Sequence, residues 1–536
     1  MIDAATLDHT DIKARVDAAV DSGMCTAVWA EIWPQKTAVL EAATGRTRTF
    51  GELNANANRL VRLMRDHGLT AGDAVAIVCS NRVEFPDVLF ACLRGGFRLT
   101  PVNWHLKPDE IAYVVDNCEA RAVFADTRVE GVAEAAGQCP QLVLKVSIGG
   151  DLPGFVPFET IDDYPADDIE DPVRGTTMLY SSGTTGRPKG VYKPNAQAVG
   201  GFDPIYDRAV DKHICTGPAY HASPMAGDIR RALNNGVPTV LMDRWDTEFV
   251  LKTIQDQKIT RGHFVPIMFQ RMLALPEEVR AKYDLSSLKR ITHGAAPCPP
   301  EVKRAIIDWL GPILYEYYAG SEGGVGFTVT SEQWLARPGT VGRRPHKDAA
   351  KILDDEGNEC PPGAPGHIYL SLKDQGGFNY YKDDTKTYAN RRGDYFTMGD
   401  IGYLDEDDWL FLTGRSAETI IAGGVNIYPP GDRQRADQAR RRRGQLHRRH
   451  PARRMGRGGP RRHPAETRLR PLRGAQARDP GVRRADDGQV QGPPAASISW
   501  TRCRAARLAR SCETRSARPI GKAAPGRSEP RGGGRA

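Results

Sequence analysis

The chain has 536 residues, 40% hydrophobic, 26% charged and 7% aromatic, which excludes collagen-like, mucin-like and wholly disordered classes. No apolar run reaches the ~18 residues of a membrane-spanning helix, and the polar, acidic start MIDAATLDHTDIKARVDAAV reads as neither secretory signal nor basic transit peptide. The net charge of +8 hides two unlike parts: residues 430–536 hold 28 Arg, one Lys and eight acids (+21), and residues 1–429 hold 45 basic and 58 acidic side chains (−13). Ten cysteines are scattered singly with no CxxC pair. That argues against zinc ribbons and disulfide frameworks and for a reducing, cytoplasmic setting.

Along the chain, FGELNANANRLVRLMRDHG (Phe50 to Gly68) spaces apolar residues by three and four and predicts an amphipathic helix. DAVAIVC (Asp73 to Cys79) predicts a buried strand. VEFPDVLFACLRGG predicts a second helix, with Pro86 weakening its start. RAVFAD, PTVLMD and GHIYLSL are further strand candidates bounded by turn residues. Alternation of this kind, with no internal repeat, predicts an α/β architecture with largely parallel sheets.

TTMLYSSGTTGRPKG (Thr176 to Gly190) carries the chemistry. A short apolar strand enters Ser181, Ser182, Gly183, Thr184, Thr185 and Gly186, followed by Arg187, Pro188 and Lys189. Glycines admit close approach of the backbone to a polyanion, and successive N–H groups with four hydroxyls can surround phosphate oxygens. Lys189 adds a point charge for the same ligand. The Gly-Lys-Ser/Thr order of a Walker loop is absent. A Ser/Gly linker is the bland alternative, but a linker needs neither the preceding strand nor Pro-Lys-Gly after it.

YSSGTTGRPKG resembles the signature loop of the adenylate-forming (AMP-binding) superfamily, which includes acyl-CoA synthetases, luciferases and peptide-synthetase adenylation domains. Four more segments follow in the family's order. GPAYHASP resembles the segment whose His, here His221, gates the acyl and CoA tunnels. GAAPCP (Gly294 to Pro299) resembles the turn beside adenine and the acyl pocket. YEYYAGSEGG resembles the family's Tyr-Gly-x-Thr-Glu element, with Ala319 for Gly and Ser321 for Thr. GDYFTMGDIGYLDEDDWLFLTGR resembles the segment closing the large domain.

The resemblance implies a large multi-subdomain domain over residues 1–415, with parallel sheets and a small distorted β subdomain. Residues 416–429 then form the hinge and the start of a small C-terminal domain. It further implies ATP contacts from Ser181 to Gly186, Lys189, Gly294, Ala295, Tyr318 (adenine stacking), Ser321 (α-phosphate), Asp400 (ribose hydroxyls) and Arg415. Mg²⁺ falls to Glu322 with Ser181, and acyl contacts fall to His221, Met225, Gly227 and Ala296. Lys189, Glu322 and His221 are the implied catalytic set. Ala417 stands where many relatives carry Asp or Lys, and Gly366-His367 replaces a common Gly-Glu pair.

The resemblance stops at Pro429. The following 107 residues lack strand periodicity and have the composition of a disordered tail. A lost frame accounts for them. If each codon from Pro430 on begins at the third base of an ancestral one, Met455 followed by Gly456 can encode only Trp. The stretch around it then permits IPHDEWGE, Pro430 to Ala439 permits QEIDSALIRH, and Ile520 to Ala523 permits SGKL. All three fit the family's small domain in order, the last at its adenylation lysine. Lys522, the tail's only lysine, is assigned no catalysis, because nothing around it can position it. The rival reading is a genuine basic tail for polyanions.

The expected activity is an ATP-dependent acyl-CoA synthetase, carboxylate + ATP + CoA to acyl-CoA + AMP + pyrophosphate, impaired in this chain. Its partners are then the acid, ATP with Mg²⁺, and CoA, with no specific nucleic acid; membrane contact and oligomeric state are left open. A medium or long fatty acid is the default substrate, with aromatic or steroid acids as alternatives. No Asp suited to an amino-acid ammonium is identifiable. From another class, the chain is a non-catalytic polyanion binder with a vestigial body.

Overall fold

The computed structural model describes residues 9–181, 188–194, 201–373, 376–415, 420–422 and 425–427. Two largely parallel sheets and one antiparallel sheet organise them. In the first, all six strands run parallel, in the order Val156–Pro157, Leu144–Ile148, Ala120–Asp126, Ala74–Val78, Arg98–Pro101, Thr176–Thr177. Ala74–Val78 is buried at every position, as a strand covered on both faces requires.

The helices against it start where local chemistry says they should. Phe50–Asp66 opens with a capping box in which Thr49 accepts from the Glu52 N–H and Glu52 accepts from that of Thr49. Glu84–Gly95 carries Pro86 in its first turn, where the missing N–H has no intrahelical partner to lose, so the proline does not shorten the helix. It ends on Gly96 at φ +79°, a left-handed cap suited to glycine.

The second sheet has eight strands. Its parallel centre includes β1 (His213–Cys215), β2 (Arg261–Phe264), β3 (Arg290–His293) and β4 (Leu314–Tyr318). On the other side of β1 lie Thr239–Leu241 and Thr37–Glu41, and an antiparallel strand closes each edge. Between β1 and Thr239–Leu241 the chain forms α1 (Pro224–Arg231), a π-helix, a form that concentrates at functional sites.

The third sheet is antiparallel throughout and holds GHIYLSL as Gly366–Ser371. Its strands Asp400–Leu404 and Trp409–Arg415 slip register between Ile401 and Gly402, the irregularity of a distorted β subdomain. A separate three-stranded ribbon pairs Leu179–Ser181, Lys189–Tyr192 and Asn379–Tyr380. Among the described residues no helix is long and apolar enough to cross a membrane.

Candidate active site

Ser182 to Arg187, and with them Gly183, Thr184, Thr185 and Gly186, lie outside the described residues, but the strands that carry them do not. Leu179–Ser181 and Lys189–Tyr192 pair antiparallel with Ser181 opposite Lys189, so the two ends of the loop are held together. The Lys189 ammonium lies 5.1 Å from the centre of the Tyr380 ring. The Tyr380 hydroxyl in turn donates to Glu322 Oε1 at 2.9 Å. Burial, then the neighbouring Lys386 ammonium, brings the Lys189 pKa down from 10.5 to about 8, against the opposing pull of Glu322 and Asp383. Burial also lowers Lys193, again opposed by Glu322. The strand that follows the loop thus carries its lysines near Lys386 and Glu322, a setting suited to a polyphosphate.

Tyr318 ends β4, and its hydroxyl donates to Asp400 Oδ2 at 2.8 Å, with both side chains buried. Asp400 begins its strand directly opposite Arg415. The Arg415 side chain, residues 416–419 and the Arg-rich tail lie outside the described residues. Gly294 follows β3 at a place where a Cβ would come 2.6 Å from the Tyr317 ring, so only glycine fits. Ala295 next to it takes φ +65°, a left-handed conformation uncommon for a residue with a side chain. Ser321 is half-buried in a turn closed by Gly320 and Gly323, whose backbones bond each other at 2.8 and 3.1 Å. Gly294, Ala295 and Tyr318 all sit at the carboxyl ends of parallel strands, where open α/β sheets bind ligands.

A cavity of about 200 Å³ lies between α1 and the face of β1–β4. Its inner end is a hydrogen-bonded trio: Tyr317 Oη meets Ser223 Oγ at 2.5 Å and His263 Nε2 at 2.9 Å. Burial holds the His263 pKa low and raises that of Tyr317. The strand registers build the floor in rows. His213, Arg261 and Arg290 are Cα partners across β1, β2 and β3, and His263 and Thr292, partners across β2 and β3, form the next row. The wider turn of the π-helix brings Gly227, Asp228 and Arg231 to the same cavity.

Of the acyl-side residues expected from sequence, Gly227 lines this cavity. Met225 is 3% exposed and packs into the hydrophobic core instead. Ala296 is exposed. His221 has solvent access yet is backed by protein, including the Tyr220 ring at 4.6 Å, and partial desolvation holds its pKa below the ordinary imidazole value.

The sequence places the acyl tunnel at His221 to Gly227 and Gly294 to Pro297, and Ser223 and Gly227 line the cavity, but sequence reasoning missed Tyr317, His263 and the His213–Asp228 pair. For His213, His263 and Tyr317 the one signal is polar residues inside short runs otherwise suited to buried parallel strands, and Asp228 sits on α1. Sequence reasoning also missed Lys193, Lys386, Tyr380 and Asp383, which come from segments more than 180 residues apart.

For Mg²⁺, the described residues contain no group of three or more His, Cys, Asp or Glu side chains able to hold an ion. Glu322 uses one oxygen for Tyr380 and keeps the other, and Ser181 is half-buried at its strand end. One carboxylate and a hydroxyl fit a cation held chiefly by phosphates and water, and not a cage built by the protein.

The model of the AMP-binding enzyme family matches residues 26–376. The indoleacetate–CoA ligase of Aromatoleum aromaticum is 28% identical over 406 residues, covering 74% of this chain and 78% of that protein. The fatty acid–[acyl-carrier-protein] ligase ScoC of Streptomyces coeruleorubidus is 28% identical over 417 residues, covering 75% and 79%. Among solved structures, the anthranilate CoA ligase AuaEII in complex with anthranoyl-AMP superposes with a TM-score of 0.67 at 22% identity, covering 77% of this chain and 81% of that one.

Proposed function

The chain belongs to the AMP-binding enzyme family, and from that premise we propose that its body activates a carboxylic acid with ATP for transfer to CoA. The observation that carries this is the convergence of Lys189 and Glu322, 133 positions apart in sequence, on Tyr380, beside a ribbon that clamps the hydroxyl-rich loop. A carboxylate is a poor acyl donor until one of its oxygens belongs to a good leaving group. Attack on the α-phosphate of ATP, with loss of pyrophosphate, makes the acyl-adenylate, and the CoA thiol then displaces AMP.

The first step needs placement and charge neutralisation more than covalent help. Lys189, with Lys193 and Lys386 beside it, holds the β- and γ-phosphates. Tyr318 and Asp400 take the nucleoside, whose ribose hydroxyls compete for the carboxylate oxygen that the Tyr318 hydroxyl now occupies. His221 stands at the acyl entrance. Glu322 would hold Mg²⁺, which would supply charge neutralisation for the phosphates.

Residues 1–415 are the large domain in this reading, 416–429 the hinge, and 430–536 the product of a lost frame at or next to Pro429. Support for the last point is the abrupt change from −13 to +21 and the three family-like segments in one shifted frame. Without the small domain's lysine and its rotation, the chain binds ATP and acid but forms thioester slowly. Acid-dependent ATP–pyrophosphate exchange supports the reading; salt-sensitive DNA retention with neither exchange nor AMP binding refutes it. A fatty acid is the default expected from sequence, yet the polar lining of the cavity favours a different tail.

A further inference from the structure

The acyl end of this site carries polar atoms that an alkyl chain cannot satisfy. His213 and Asp228 face each other across the cavity wall, Nδ1 to Oδ1 at 3.3 Å. Their remaining atoms, His213 Nε2 and Asp228 Oδ2, are buried and have no hydrogen-bond partner among the described residues. His213 is 8% exposed and Asp228 1%. A buried polar atom left unbonded is costly enough that native proteins rarely keep one without a reason. Here two such atoms belong to a pair of residues that line one cavity.

Their chemistry is specific. With Asp228 ionised, its free oxygen accepts only. With Nδ1–H directed at Asp228, the free Nε2 of His213 also accepts only. The pair therefore calls for a donor from the ligand, and an alkyl tail or a bare carboxylate offers none.

Position agrees with chemistry. The Tyr317–Ser223–His263 trio marks the inner end of the cavity beside the adenylate residues. The row holding His213 lies one two-residue strand step further out, roughly 6–7 Å. In that row stand Arg261 and Arg290, and Arg231 of α1 lines the same cavity. Arg261 is paired with Asp211 and Arg231 with Asp203. No carboxylate pairs with Arg290 among the described residues, and it lies over the Tyr315 ring at 3.7 Å. A long alkyl chain would meet guanidinium groups here. The cavity's size points the same way, since about 150 Å³ already accommodates a benzene ring.

We propose that the acid taken by this cavity is short or single-ringed and bears a hydroxyl or N–H donor that bonds Asp228 Oδ2 or His213 Nε2. The inference rests on the adenylate reading of the site above.

The test is equilibrium binding to the full chain, which needs no turnover, by calorimetry at a salt concentration that suppresses the basic tail. The probes are adenosine 5′-sulfamate and acyl-sulfamoyl adenosines in matched pairs: phenylacetyl with 4-hydroxyphenylacetyl, and hexanoyl with its ω-hydroxy and ω-carboxy counterparts. Adenosine 5′-sulfamate binding to every variant reports that the fold and nucleotide site are intact.

At least one hydroxylated probe is expected to bind ten or more times tighter than its hydroxyl-free partner. Asp228→Leu is expected to abolish or reverse that preference while leaving adenosine 5′-sulfamate unaffected. Equal or tighter binding of the hydroxyl-free member in both pairs overturns the inference, as does a preference that survives Asp228→Leu. A clear preference for the ω-carboxy probe also overturns it, in favour of an anion read by the arginines. If adenosine 5′-sulfamate itself does not bind, the adenylate reading falls, and this inference with it.

Discussion

The Tyr318 hydroxyl donates to Asp400 Oδ2 at 2.8 Å, joining the last parallel strand of the second sheet to the antiparallel sheet 82 residues later. Both side chains are buried, so the bond fixes the ring and the carboxylate on which a nucleoside would be placed. Tyr318→Phe keeps the ring and removes the bond. We expect a stability loss of about 1 kcal/mol, within the range for one buried hydrogen bond, with AMP affinity changed only a few-fold. Asp400→Asn, which weakens acceptance from two ribose hydroxyls, is expected to lower AMP affinity by at least tenfold at similar stability. Denaturant melts and AMP titration of the two variants separate these effects.

Lys189 makes the site sensitive to alkaline pH. Its pKa of about 8 lies below the free value of 10.5, so the unfolded chain binds more protons between those values, and this group's contribution to stability rises with pH across that window. Ligand binding has the opposite sign, because a polyphosphate needs the charged amine. Pyrophosphate affinity is expected to fall between pH 7 and pH 9. Lys386→Met removes the neighbouring like charge and should move the midpoint of that fall upward. A midpoint unchanged by Lys386→Met would show that Lys386 does not set it.

Glu322 and Tyr380 form one unit. Glu322→Gln removes the charge that supports Lys189 and the oxygen offered to a cation. Mg²⁺-dependent ATP affinity should then drop by roughly 10–100-fold, the size of a lost charge-assisted contact, with AMP binding retained. Tyr380→Phe releases the same carboxylate without discharging it and should cost less than tenfold. Parallel titrations with ATP, with and without Mg²⁺, check both.

The tail of +21 against a body of −13 dictates behaviour toward polyanions whatever the tail's origin. Duplex DNA of any sequence should bind the full chain, with log K falling steeply and linearly with log salt. A chain ending at Pro429 should show no such binding. Retention that persists after the tail is removed would place the polyanion site on the body.

Legibility from sequence divided along a physical line. Phe50–Asp66 and Ala74–Val78 were readable because period and capping are local properties. The proline at position 86 looked disruptive only until its place in the first turn was known. The stretch from Ser181 to Lys189 suggests a phosphate cradle because glycines, hydroxyls and a lysine adjoin in sequence, and Ser182 to Arg187 lie outside the described residues. Asp228, His213 and Tyr317 were not readable, because their meaning depends on strand register and on the π-helical turn of α1, neither of which leaves a periodic trace. Met225 shows the converse: adjacency to His221 suggested the acyl wall, and the helix turned it into the core.

The central claim is an adenylate-forming body joined to an out-of-frame remnant, and restoring one base next to the Pro429 codon tests it most directly. Both proteins would be assayed for AMP binding and for CoA thioester formation across the acids named above. The account predicts comparable AMP affinity in the two, with thioester formation by the given chain a small fraction of that by the restored one. Full turnover by the given chain, or no gain on restoring the frame, would contradict it.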